Sequence, residues 1–234
     1  MTSNRAAYRS SIPAAARQRV VERYPEGAKK NAEYRLRGKL VGVRWFHETG
    51  EPDFEYALRD GQKHGTQYRW DVPGHLLSAE PFEDGLPHGT ARQWSRDGRQ
   101  IGTYRMRRGT GIDLWRQERE DGSVYLAEIL YKRAGRPDGF EWWVNEDQRT
   151  VYIERHWCDC QLHGIYREWN DQGRLRHGSP QYFVRSERVT KRQYLRGAAN
   201  DPTLPPFRAA DNRPTRRFPV DVGRSMNLPG RGSK

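Results

Sequence analysis

Cysteine is nearly absent. The only two, Cys158 and Cys160, stand one residue apart, a poor disulfide geometry in a strand, so no framework of bridges holds this protein. Aliphatic residues are scarce as well: Leu, Ile, Val and Phe make up about one sixth of the chain, under the roughly 20% below which disorder is the usual warning. A thick aliphatic sandwich is therefore excluded. No apolar run approaches the roughly 18 residues of a membrane-spanning helix, and no stretch has the apolar centre of a secretory signal. The expected location is a reducing cytoplasm. The alternative is an organelle, because the Arg- and Ser-containing start holds no acid before Glu22 and resembles a transit peptide.

What the chain has instead is aromatic, basic and glycine residues. Its 12 Tyr and 8 Trp bury large areas while keeping a polar handle, which suits a thin, half-wet fold. The net charge of +12 is unevenly spread: residues 1–32 carry +5, residues 201–234 carry +4, and the long middle only +3. A nucleic-acid groove needs its bases on the folded body, so nucleic acid is not an expected partner.

The chain is periodic. Five-residue frames occur at Gly38–Gly42, Gly61–Gly65, Gly85–Gly89 and Gly135–Gly139, a shortened one at Gly109–Gly111, and one at Cys160–Gly164 in which cysteine replaces the first glycine. They begin 23 to 26 residues apart. A large aromatic follows each closing glycine by four or five residues: Phe46, Trp70, Trp94, Trp115, Trp143 and Trp169. A second glycine turn comes next, at Gly50, Gly74, Gly98, Gly122 and Gly173, with Gln148 in the remaining place. Asp precedes glycine at 60–61, 84–85, 97–98 and 121–122, a dipeptide that accepts positive φ in hairpin turns. Between turns, residues such as Thr66, Tyr68 and Trp70 alternate with Gln67 and Arg69, as in strands. Each unit therefore reads as strand, turn, strand, turn.

This frame resembles the MORN repeat, in the variant found in tandem in bacterial proteins assigned as antitoxin components of toxin–antitoxin modules. The likeness covers residues 33–175. It implies a single-layer sheet of stacked hairpins that works by binding. The expected fold class is all-β, an elongated single-layer antiparallel meander of about six stacked β-hairpins with short terminal helices. The expected segments are a basic 1–32 with a helix over Pro13–Tyr24, the six-unit array 33–175, a capping hairpin and helix over 176–200, and a disordered basic tail over 201–234 rich in Pro, Arg and Gly.

The same register organises the residues that could carry chemistry. The turn GLPHG, Gly85–Gly89, lacks the Lys-Ser/Thr and following helix of a phosphate loop, so Gly38, Gly42, Gly61, Gly65, Gly85, Gly89, Gly135, Gly139 and Gly164 are read as turn formers. His64, His88 and His163 share one place in three units, where each is expected to bond its own turn; lining a common edge for binding is the sharper alternative. In His156–His163, Cys158 and Cys160 are spaced too closely for a structural zinc site. Glu33, Glu55, Glu80, Glu128 and Glu154 read as a ladder of exposed cross-strand charge pairs. No nucleophile, base and orienting group share a distinctive spacing, so no enzyme, cofactor, metal or small-molecule substrate is expected. Trp70, Trp94, Trp115, Trp143 and Trp169 form the packing ladder, but a one-layer sheet leaves some aromatic surface open for binding. The functional expectation is a protein-binding repeat protein, for which the resemblance implies an antitoxin or immunity type; the alternative is a scaffold on acidic membranes, held by basic tails and sheet.

Overall fold

The computed structural model describes residues 8–225. The chain divides into two compact units, Met1–Gly109 and Thr110–Lys234, each built on antiparallel strands that pair with their chain neighbours. The first unit holds β1 (Arg17–Arg23), β2 (Lys29–Leu36), β3 (Lys39–Phe46), β4 (Pro52–Arg59), β5 (Gln62–Lys63), β6 (Gly65–Trp70), β7 (Leu76–Glu83), β8 (Leu86–Pro87), β9 (Gly89–Trp94) and β10 (Gln100–Arg107). The second holds β11 (Thr110–Glu118), β12 (Val124–Arg133), β13 (Arg136–Val144), β14 (Val151–Cys158), β15 (Gln161–Leu162), β16 (Gly164–Glu168), β17 (Gln181–Val184) and β18 (Glu187–Val189), then helix α1 (Lys191–Ala198), a 3-10 turn (Ala209–Asn212) and a short helix α2 (Val220–Ser225). The fold is all-β, an antiparallel meander of hairpins, as the periodicity requires.

Both central residues have positive φ in seven two-residue turns: Arg37–Gly38, Asp60–Gly61, Asp84–Gly85, Arg108–Gly109, Ala134–Gly135, Asp159–Cys160 and Arg185–Ser186. This is the geometry whose twist matches paired strands. Six of these turns carry the sequence frame. The seventh, which joins β17 to β18, contains no glycine and so gives no frame signal. Cys160, at φ 67°, takes the place of the missing glycine, so Cys158 and Cys160 do not share a strand. The second series of turns recurs at Gly27, Gly50, Gly74, Gly98, Gly122 and Gly173, and Gln148 adopts the same left-handed conformation at φ 55°. Asp97 and Asp121 belong to this series, and they act through their carboxylates, which accept the backbone N–H of Arg99 and Ser123 at 3.0 and 2.8 Å.

Successive repeats are locked through these turns. The N–H groups of Gly85, Gly109, Cys160 and Ser186 donate to the carbonyls of Lys63, Pro87, Pro137 and Leu162 in the preceding repeat, at 2.8, 2.7, 3.0 and 2.7 Å. Two of the three repeat histidines, His88 and His163, complete the lock, and they do so across repeats rather than within their own turn. Nδ1 of His88 accepts the N–H of Arg108, and Nδ1 of His163 that of Arg185, both at 3.1 Å.

The ends depart from expectation. Pro13–Tyr24 is not a helix: after a turn at Pro13–Ala16 it becomes β1, with Val20 opposite Ala32. Strand pairing along the open edge of β2 outweighs the weak helical preference of this stretch. α1 forms where expected, capped by Thr190 and Gln193. The tail from Asp201 is ordered through residue 225. Leu204 is buried with Ile165, Tyr182 and Tyr194, Val151 N–H donates to Pro214 O, and Thr150 bridges Thr215. Residues 1–7 and 226–234 lie outside the described residues.

Replacing Cys160 by glycine should relieve a left-handed non-glycine residue. The relief outweighs the added unfolded-state freedom, for a net gain of about 0.5–1 kcal/mol. Urea unfolding would read this as a higher midpoint; an unchanged midpoint would contradict it.

Candidate functional site

Each unit presents one covered and one open sheet face, and a one-residue offset in the strands decides which side chains go where. The covered faces carry Phe46, Trp70 and Trp94 in the first unit and Arg116, Val144 and Trp169 in the second. All six are buried, and the first five sit where the pairing slips by one residue. Trp70, Trp94 and Trp169 therefore belong to the core. Trp115 and Trp143 stand one residue earlier, so they point to the opposite face and remain half-buried. The same offset splits the glutamates. Glu55 and Glu154 are on the covered face; Glu33, Glu80 and Glu128 are on the open one.

On the covered face of the first unit, residues 8–12 lie across the strands. Gly42 leaves room for them: a Cβ there would meet Ile12 at 2.5 Å. Tyr8 and Ser10 donate to the Glu55 carboxylate at 2.9 and 2.6 Å, and Arg44 pairs with it through Nε at 2.8 Å. Burial, reinforced by Glu55, pushes the Tyr8 hydroxyl up to about 12. The second unit repeats the device from the other end of the chain. Glu154 accepts Trp142 Nε1 at 2.7 Å and Arg216 Nε at 2.6 Å, and it pairs with Arg167. Burial alone would raise the Glu154 carboxyl; the hydrogen bond and charge of Arg216, with Arg167, outweigh it and hold the group below its ordinary value. Trp169 Nε1 donates to Asn212 O at 2.8 Å, and Phe218 meets Trp142 edge-on. Glu55 and Glu154 are thus buried anchors for the terminal segments, not exposed charge pairs. Full hydrogen bonding is what makes a buried carboxylate tolerable.

The histidines belong to the scaffold in the same way. His163 is buried, with Nδ1 accepting Arg185 N–H and Nε2 facing Thr203 Oγ1 at 2.9 Å, an arrangement met by the neutral ring that donates from Nε2. His64 is 3.8 Å from the Asp84 carboxylate of the next turn. Among the described residues no group of three or more His, Cys, Asp or Glu side chains is placed to hold a metal ion.

Among the described residues no terminal segment crosses the open faces. In the first unit the open face carries Trp45, Phe54 and Tyr56 in mutual ring contact, with Lys63 Nζ at 5.6, 4.9 and 5.0 Å from the centroids of Phe54, Tyr56 and Phe82. Burial lowers the affinity of Lys63 for its proton. In the second unit Glu141 is the centre. It accepts the indole N–H of Trp143 at 2.5 Å and of Trp157 at 2.6 Å, and it pairs with Arg155 at 3.1 Å. Arg155 in turn lies over Tyr166. Glu128 of β12 stands directly opposite Trp115 on one side and Trp143 on the other. Burial and the nearby Glu141 and Asp113 raise its carboxyl to about 7.

The resulting surface holds two half-buried rings, those of Trp143 and Trp157, fixed by one buried acid. Trp115 and Trp143 were readable from spacing. Trp45, Trp157 and Glu141 fall outside the repeat frame, and their only sequence trace is strand alternation.

Glu128 makes stability depend on pH. Its carboxyl titrates near 7 when folded against 4.5 ordinarily, so between those values the folded state holds a proton that the unfolded chain has lost, and stability falls as pH rises through that window. Glu128→Gln should therefore melt above the wild type near pH 8 and close to it near pH 4. Equal melting temperatures at both would contradict the placement of this carboxylate. No protein-family model matches this sequence, and no curated protein matches it, so function has to be read from this geometry.

Proposed function

We propose that this chain is a non-catalytic repeat protein of MORN type that binds another protein through the open face of its second unit. The observation that carries the reading is the Glu141 cluster, which spends a buried carboxylate on orienting Trp143 and Trp157 toward a face that no terminal segment covers among the described residues. A sheet needing only stability would gain more by packing those rings inward. Aromatic anchors held by polar neighbours are the usual energetic centres of protein interfaces. Neutralising a toxin or effector is the role that the repeat resemblance suggests for such a surface. The membrane-scaffold alternative draws on the basic tails; Arg216 of the C-terminal tail is turned inward onto Glu154, which lessens the charge that tail offers to lipid.

Retention of a partner from lysate of the native host tests the reading. Trp94→Ala is unsuitable, since truncating a buried tryptophan costs about 3–5 kcal/mol of stability. Trp115→Ala with Trp143→Ala removes the open rings and spares the core. The wild type should retain a protein that this double variant loses; undiminished retention would overturn the assignment of the face.

A further inference from the structure

Resting on the protein-binding reading, we propose that Glu128, flanked by Trp115 and Trp143, is the receptor for a basic side chain of the partner, an arginine or lysine inserted between the two indoles. Three observations converge on this. First, the register places Trp115, Glu128 and Trp143 side by side on three adjacent strands, β11, β12 and β13. At about 4.8 Å per strand the two tryptophans arise about 10 Å apart, with the carboxylate between them. A cation over an aromatic face lies within about 6 Å of the ring centroid, so a cation held by Glu128 reaches both rings.

Second, the local cations are already committed. Lys132, from the same strand, pairs with Asp113 of β11 at 2.6 Å, and Arg155 of β14 pairs with Glu141 of β13 at 3.1 Å. Asp113, Glu128 and Glu141 face this spot against Lys132 and Arg155, which leaves one carboxylate in excess. Glu128 is the one without a hydrogen bond or ion pair among the described residues. In a chain of net charge +12 this excess runs against the average, and it complements a positive guest.

Third, one of the two rings is held in place. Trp143 is tied through its indole N–H to Glu141 and packs edge-on against Tyr152 at 6.1 Å, so little ordering of that ring remains to be lost on binding. A guest cation would also keep Glu128 ionised, which couples its binding to the same proton release that lowers stability.

The test uses small probes on the full chain: N-acetyl-arginine amide, and its neutral near-isostere N-acetyl-citrulline amide, titrated while the indole N–H signals of all tryptophans are followed by NMR. The arginine amide should move the signals of Trp115 and Trp143. The citrulline amide should bind roughly tenfold more weakly, and Glu128→Gln should abolish the difference. Arginine affinity should also rise between about pH 6 and pH 8 as Glu128 loses its proton. Equal binding of the two amides, an unaffected Glu128→Gln variant, or shifts confined to other tryptophans would each overturn the proposal. Those results would leave protein binding standing if partner capture still depended on Trp115 and Trp143.

Discussion

A sheet one layer thick has two faces, and the chain that builds it can cover only one. In each unit here that cover is a terminal segment, and the fastening is a carboxylate buried beneath it. Glu55 is enclosed by Arg44, Tyr8 and Ser10, and Glu154 by Arg167, Arg216 and Trp142. With so few aliphatic residues available, apolar burial alone is a weak adhesive, and charged hydrogen bonds supply direction instead. Such pairs are weak contributors to net stability but severe liabilities when half removed, at about 3–5 kcal/mol. Their role is to fix where the terminal segments lie. The other face is left open as a consequence, and the proposed binding role rests on which side chains are turned toward it.

Much of the fold was legible because its constraint is local. A two-residue turn with positive φ at both positions selects glycine, and repetition of that selection every 23 to 26 residues exposes the array. Legibility stops where another residue meets the same backbone demand. Gln148 and the pair Arg185–Ser186 adopt left-handed conformations without glycine, held by neighbours rather than by intrinsic preference. The N-terminal strand was illegible for a different reason. Its partner is β2, and an unpaired sheet edge overrides the preference of an Ala- and Arg-rich stretch.

The site was legible in part. Spacing found Trp115 and Trp143 but grouped them with Trp70, Trp94 and Trp169, because counting four or five residues from a glycine cannot resolve an offset of one. In a strand that offset reverses the face. The glutamates show the same limit more sharply. Glu128 and Glu154 look alike in sequence, yet Glu154 meets Arg216, 62 residues away, whereas Glu128 meets two tryptophans and no free cation. Whether an acid becomes a fully buried anchor or a half-buried candidate receptor is decided by tertiary partners, which no local pattern encodes.

The division between faces is most directly measured by hydroxyl-radical footprinting of the eight tryptophans in the free protein. Trp45, Trp115, Trp143 and Trp157 should be oxidised faster than Trp70, Trp94, Trp142 and Trp169. Comparable oxidation of the two sets would contradict two units that each have one covered and one open face.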